Sequence, residues 1–291
     1  MRRSIVLTII MVFLIVLTAA AGAEVSVTVT DFPCYDFVRA VMGTSDGINM
    51  LIKPGTEVHS FDPTPKDITD VLSCDVFVYI GGESDVWAEG IISDVSGLTV
   101  KLMDSVEPEF EEGSDEEYDE HIWTSPVNAV KMVECVRDAL IEADPENAES
   151  YTANAERYIA ELLRLDGELR ETVSGAARNE LVFGDRFPFL YMAKEYGLTC
   201  YAAFPSCTTQ SEPSARVMGE LISRIKEDGI PCVYTIELSN GAIAKTLSDE
   251  TGCGTETLHS MQNVTLEEFE SGETYISIME KNISALKEGL Y

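Results

Sequence analysis

The chain has 291 residues, 51 of them acidic against 20 basic, for a formal charge of −31. An acidic excess of that size excludes a nucleic-acid binder, which needs basic surface to displace counterions from phosphates. At 45% hydrophobic content the charge does not imply disorder, and the length allows one large or two modest domains with a sizeable core.

Residues 1–23 read as an export signal: Met1-Arg2-Arg3 is a basic head, residues 5–17 are almost wholly apolar, and Ala21-Gly22-Ala23 resembles a cleavage site. The alternative is an uncleaved anchor, since the apolar run is near the lower limit for spanning a bilayer. No cysteine follows the run closely, and Cys34 is too distant for a lipid attachment signal. The expected location is therefore extracytoplasmic: periplasmic, secreted, or held at the outer face of the cytoplasmic membrane. Without Arg2 and Arg3 the remainder carries 18 basic against 51 acidic residues. Export permits disulfides, and of the seven cysteines Cys200 and Cys207 flank one short segment and are the first choice for a bridge. The others read as small buried hydrophobes, and no C-x-x-C pair is written.

Strands and helices then alternate. Residues 25–30 are β-branched with period two and predict a strand, followed by a helix over 33–42 that stops at Gly43. Residues 48–52 predict a second strand, closed by Pro54-Gly55, and Thr64-Pro65-Lys66-Asp67 opens a helix with Thr as N-cap. A third strand over 76–80, buried on both faces, stops at Gly81-Gly82, and segments 86–93 and 98–102 complete the pattern. The order predicts a parallel sheet with helices on both faces over a first lobe, residues 24–143.

Residues 144–177 carry Tyr151, Ala155, Tyr158, Leu162, Leu165 and Leu169 at helical spacing, with only Gly167 interrupting. A helix of about 30 residues would run some 45 Å, which suits a spine between two lobes better than one small domain. The second lobe, residues 178–291, repeats the plan. Strands are expected at 181–183, 199–203, 232–236 and 256–258, and helices near 189–196, 212–228, 240–250 and 274–287.

The three histidines, His59, His121 and His259, come from separate segments, each following a predicted strand. Ligand sites in open parallel sheets form beyond the carboxyl ends of the strands, so all three can point into one cleft. Two of these segments are specific. The run 54–68, Pro-Gly-Thr-Glu-Val-His59-Ser-Phe-Asp-Pro-Thr-Pro-Lys-Asp-Ile, resembles the first metal-ligand motif of the zinc/manganese-binding solute-binding proteins of ABC importers. Asp119-Glu120-His121-Ile122-Trp123-Thr124-Ser125-Pro126 resembles that family's second motif. Asp144-Pro145-Glu146-Asn147, with Tyr151 and Asn154, resembles the start of its interlobe helix, and Glu212-Pro213-Ser214-Ala215 and Glu250-Thr251-Gly252 are further matches.

The resemblance implies that His59 and His121 are metal ligands from the first lobe. In the loop Phe183-Gly184-Asp185-Arg186-Phe187-Pro188-Phe189, Gly184 falls at the family's usual third ligand position, so Asp185 is the nearest candidate. Asp185 could equally pair with Arg186 or cap the next helix. His259 falls where the family usually has an acid, and Glu237 is a reserve ligand. Three imidazoles with a carboxylate or water suit tetrahedral Zn(II) better than Mn(II), which prefers more oxygen. The implied function is capture of Zn(II), less favourably Mn(II), for delivery to an ABC permease and its ATPase, by a monomer that performs no chemical transformation. The rivals are an exported zinc hydrolase using the same histidines and a binding protein for an iron chelate.

Acidic residues crowd the approach to His121: Glu107, Glu109, Glu111, Glu112, Asp115, Glu116, Glu117, Asp119 and Glu120. They read either as a loop that gathers cations or as solvated surface. The sequons at Asn263 and Asn282 follow a pattern common by chance.

Overall fold

A computed structural model describes residues 25–111, 116–205 and 212–291. The expected export signal, Glu112 and Asp115 of the acidic run, and Cys207, with its expected bridge to Cys200, lie outside the described residues. Cys34, Cys74, Cys135, Cys232 and Cys253 are free thiols, three of them buried as small core residues. No helix among the described residues is long and apolar enough to cross a membrane.

In the first lobe the order is β1 (Val27–Val29), α1 (Phe32–Met42), β2 (Ile48–Met50), α2 (Pro65–Ser73), β3 (Val76–Tyr79), α3 (Val86–Glu89) and β4 (Leu98–Lys101). The four strands are parallel in the order β2-β1-β3-β4. Each boundary has a local cause. The Asp31 side chain accepts the Cys34 N–H to start α1, and Gly43, at φ 75°, ends it in a left-handed turn. Thr64 and Asp67 form a capping box at the start of α2, behind the expected proline.

Two long helices follow, α4 (Pro126–Ala143) and α5 (Ala148–Ser174). Residues 126–143 carry no assignment in the sequence reading, yet Ala129, Met132, Val133, Val136 and Leu140 recur every three or four positions and are buried. That face packs on α5 and α1. The spine helix α5 has 27 residues, about 40 Å at 1.5 Å per residue. It buries Tyr151, Ala155, Leu162, Leu165 and Leu169.

The second lobe repeats the first: β5 (Glu180–Phe183), α6 (Leu190–Tyr196), β6 (Thr199–Ala202), α7 (Ala215–Asp228), β7 (Cys232–Thr235), α8 (Ala242–Thr251) and β8 (Gly254–Thr257), then α9 (Leu266–Ser271) and α10 (Tyr275–Leu290). Its strand order, β6-β5-β7-β8, is also all parallel. The sequence reading omits α9, which is short and set by a Thr265–Glu268 capping box.

One hydrophobic core runs through both lobes, from β1 and α1 through α4 and α5 to β5 and α10, with a smaller cluster on the outer face of each sheet. Asp36, fully buried in α1, accepts hydrogen bonds from Tyr158 Oη (2.5 Å) in α5 and from the Tyr275 N–H (3.0 Å) at the start of α10, and it pairs with Arg39. One carboxylate thus ties the first lobe, the spine and the last helix together.

Two substitutions test this frame in opposite directions. Asp36→Ala strands those buried donors and should destabilise by about 3 kcal/mol or more. Gly167 lies inside α5 with nothing within 4 Å of where a Cβ would stand, so Gly167→Ala should stabilise by about 0.5–1 kcal/mol. Urea unfolding midpoints check both.

Candidate metal site

Each sheet changes direction at its second-placed strand, and the loops that leave the carboxyl ends of the strands meet between the lobes. After β2 the chain turns at Gly55 (φ 80°) into a single 3₁₀ turn, Val58–Ser60, which buries Val58 and carries His59. After β3, Asp85 Oδ2 accepts the N–H groups of Ile80 (2.8 Å) and Gly81 (3.0 Å), folding that loop so that it presents Ser84. The Ser84 N–H donates to Glu120 Oε2 (2.8 Å), and its hydroxyl donates to Glu120 Oε1 (2.6 Å). Ser84 Oγ also lies 3.1 Å from His59 Nδ1. Since the hydroxyl proton is given to Glu120, Oγ accepts from His59, which places the imidazole proton on Nδ1 and frees the Nε2 lone pair.

His121, fully buried before the 3₁₀ turn Ile122–Thr124, is fixed by Asp119. Asp119 Oδ1 accepts the His121 backbone N–H (2.8 Å) and stands 3.2 Å from its Nδ1. Here too Nδ1 holds the proton, and the buried Nε2 has no hydrogen-bond partner. A carboxylate behind an imidazole is a common support for a metal-ligating histidine. His59, Glu120 and His121 each offer a ligand atom, and these atoms lie within 4.8 Å of one another.

The second lobe approaches from the other side. Asp185, after β5, is buried; Oδ1 accepts the Arg186 N–H (2.9 Å) and Oδ2 is buried without a partner. It does not cap α6, whose N-cap position is Phe189. Gly184 has no room for a side chain, since a Cβ there would meet Ala244 Cα at 2.4 Å. The His259 backbone is clamped by Asn282, which accepts its N–H (2.8 Å) and donates to its C=O (2.7 Å). Both sequon asparagines, Asn263 and Asn282, are buried and used in this way inside the protein.

His259 has the opposite tautomer. Its Nδ1 accepts the Met261 N–H (2.9 Å), delivered by a backbone at φ 65°, so its proton sits on Nε2, 3.7 Å from Glu268 Oε1. That proton draws the Glu268 carboxyl down to about 2. Glu237 is held by the Ser260 N–H (2.6 Å) and hydroxyl, with Oε2 3.6 Å from His259 Nδ1. Neither His259 nor Asp185 joins His59, Glu120 and His121 within the 4.8 Å reach.

The lobes touch directly. Arg186 pairs with Glu57 (3.1 Å), Gln262 Nε2 donates to Glu120 Oε1 (3.2 Å), and Trp123 Nε1 donates to the Ser260 carbonyl (2.7 Å). A cavity of about 70 Å³ remains between Glu57, Asp185, Arg186, Glu237, Gln262 and Asn263. The acidic run is pinned beside the site at its neck, where Phe110 and Tyr118 stack at 4.6 Å and Tyr191 Oη donates to the Asp119 carbonyl.

Burial, with the neighbouring His121 and Arg186, holds the His59 imidazole below its ordinary value despite the Glu120 charge. Burial also pulls on His121, but Asp119, Glu120 and Glu237 outweigh it and raise its value. Beneath them, burial pushes the Asp31 carboxyl up to about 7 and the Asp85 carboxyl up to about 8.

A profile of the family described as "Zinc-uptake complex component A periplasmic" matches residues 27–289. The chain belongs to this family. Among its relatives, the zinc-binding lipoprotein AdcA of Streptococcus pneumoniae is 34% identical over 283 residues, covering 92% of this chain and 56% of that protein. The chain thus spans a little over half the length of that relative. The high-affinity zinc uptake system protein ZnuA of Bacillus subtilis is 32% identical, covering 92% of this chain and 88% of that protein. Of solved family structures, the Zn(II)-bound ZnuA-like domain of the pneumococcal AdcA superposes with a TM-score of 0.79 at 32% identity, over 92% of this chain and 99% of that one. The metal-dependent lipoprotein YcdH of Bacillus subtilis superposes with a TM-score of 0.82 at 30% identity, over 92% of this chain and 100% of that one. Two of these relatives are named lipoproteins, which stands against the expectation of a chain without a lipid anchor.

The sequence reading places Glu120 in the acidic run and singles out neither Ser84 nor Asp85. Adjacency to His121 inside a ligand motif was the one available signal for Glu120. The buried carboxyls make a prediction about the metal-free protein. Because Asp31 and Asp85 bind protons in the folded state more tightly than in an unfolded chain, stability falls as pH rises from about 4 toward 8. The apo protein should melt higher at pH 6 than at pH 8, and Asp85→Asn should shrink that difference in calorimetry.

Proposed function

We propose that this chain is the extracytoplasmic binding component of an ABC importer, capturing Zn(II), and less favourably Mn(II), between its lobes for delivery to a permease and its ATPase. The observation that carries the reading is the pair of metal-ready imidazoles, His59 and His121, gathered with Glu120 at the lobe interface. Two neutral nitrogen donors at one point favour zinc over manganese. The names and the Zn(II)-bound state of the pneumococcal relative support the same cargo.

From the second lobe, His259 and Asp185 are the proposed completing ligands, each with a buried atom lacking a hydrogen-bond partner. His259 would bind through Nε2 with its proton moved to Nδ1, where Glu237 Oε2, 3.6 Å away, faces it as Asp119 faces His121. The division into lobes 24–143 and 178–291 around a spine, and action as a monomer, belong to the same proposal. A hydrolase would need an open coordination position beside a substrate pocket.

Titration calorimetry on chelator-stripped protein tests this. One zinc per chain is expected, bound more tightly than manganese. Saturation at a hundred times Kd should stabilise the fold by about 2.7 kcal/mol. His59→Ala and His121→Ala should each weaken zinc binding by about a hundredfold or more, a loss of some 2.7 kcal/mol. Unchanged affinity in both variants would remove the site.

A further inference from the structure

We infer that Glu120 is itself a metal ligand, so that the first lobe alone presents a two-histidine, one-carboxylate capture face. The inference rests on the zinc-binding reading and deepens it by naming a donor that lies in neither the His59–His121–His259 set nor the second-lobe loops.

Geometry comes first. The ligand atoms of His59, Glu120 and His121 fall within 4.8 Å of one another, whereas a tetrahedral zinc with bonds of 2.0–2.2 Å brings its donors to about 3.4 Å apart. Shifts of an ångström or so in side chains close that gap, with no movement of the lobes. The backbone is also shaped around this side chain. A Cβ on Gly82 would come within 2.1 Å of Glu120 Cβ and 2.4 Å of its Oε2, so glycine at that turn is what admits the carboxylate.

Charge is the second argument. Glu120 is only 2% exposed, and its hydrogen-bond donors, Ser84 N–H, Ser84 Oγ and Gln262 Nε2, are all neutral. Among the described residues its only ion-pair contact is with His59, 3.5 Å away, and no lysine or arginine pairs with it. Asp31, Asp85 and Asp119 are buried in the same first-lobe loops. A buried carboxylate without a cationic partner is costly, and a divalent ion between Glu120 and the two imidazoles supplies that partner.

The third argument is readiness. His59 and His121 carry their protons on Nδ1, whereas His259 carries its own on Nε2, against Glu268. The first-lobe face can take the ion at once, but His259 must first give up the Met261 N–H. Gln262 reaches Glu120 Oε1 from the second lobe, so the carboxylate that meets the ion also contacts the segment bearing His259.

A crystal structure of the wild-type zinc complex, with the ion located by anomalous scattering, tests the inference together with zinc affinity by chelator competition. A Glu120 oxygen about 2.0–2.2 Å from zinc is expected. Glu120→Gln should then lower zinc affinity by about tenfold or more while the apo protein melts no lower than wild type. Ser84→Ala, which leaves the carboxylate in place, should keep the zinc–Glu120 bond in its own zinc-complex structure. A bound zinc with Glu120 still on Ser84 and more than 3 Å from the ion overturns the inference while the transport reading stands. Failure of the wild-type protein to bind zinc at all overturns both.

Discussion

Within both four-stranded sheets of the described residues every strand runs the same way as its neighbours, and the site depends on that single constraint. Parallel strands need helical crossovers, so all carboxyl ends of a sheet collect along one edge and all return segments along the other. Two such sheets, held together through α4, α5 and α10, turn their carboxyl edges to one interface. His59 follows β2, Ser84 follows β3, His121 follows β4, Asp185 follows β5 and His259 follows β8. Residues spread over 200 positions of sequence come to one interface because the topology leaves their loops nowhere else to emerge.

Electrostatics gives that interface its character. Much of the acid is surface, but Asp31, Asp36, Asp85, Asp119 and Glu120 are buried, and they divide the work. Asp36 is a structural knot with a guanidinium and a phenol on it. Asp31 and Asp85 hold backbone amides and are pushed toward their neutral forms. Asp119 sets a tautomer, and Glu120 faces the imidazoles. Hydroxyl and amide donors hold that carboxylate in place, and the imidazoles beside it are held with lone pairs available. That arrangement suits a borderline divalent cation better than any organic ligand.

Much of the fold was legible because period-two and period-3.6 patterns are local, and Gly43, Thr64, Gly197 and Ser214 act as caps in the structure. The placement of His59 and His121 was legible through strand order and the motifs around them. What escaped was set by three-dimensional approach. Ser84 and Glu120 are 36 positions apart and meet only because Asp85 folds the loop after β3. The tautomer of His259 depends on the Met261 backbone adopting φ 65°, which no side-chain pattern announces. The helix α4 does carry a period-3.6 apolar face, Ala129, Met132, Val133, Val136 and Leu140, so its signal was local and readable.

The continuous core has a consequence for how an empty chain differs from a full one. Asp36 joins three helices from both halves, and Leu162, Leu165 and Leu169 bury the spine among them. Swinging the lobes apart as rigid bodies would tear packed side chains out of that core, at several kcal/mol for each large residue exposed. The rim carries a smaller penalty: Glu57 and Arg186 are paired in half-exposed surroundings, whereas the His259 segment is anchored in the same core by Leu258, Met261 and Val264. A receptor that must tell cargo-bearing molecules from vacant ones therefore has only the rim of the cleft to inspect, and its footprint should lie there.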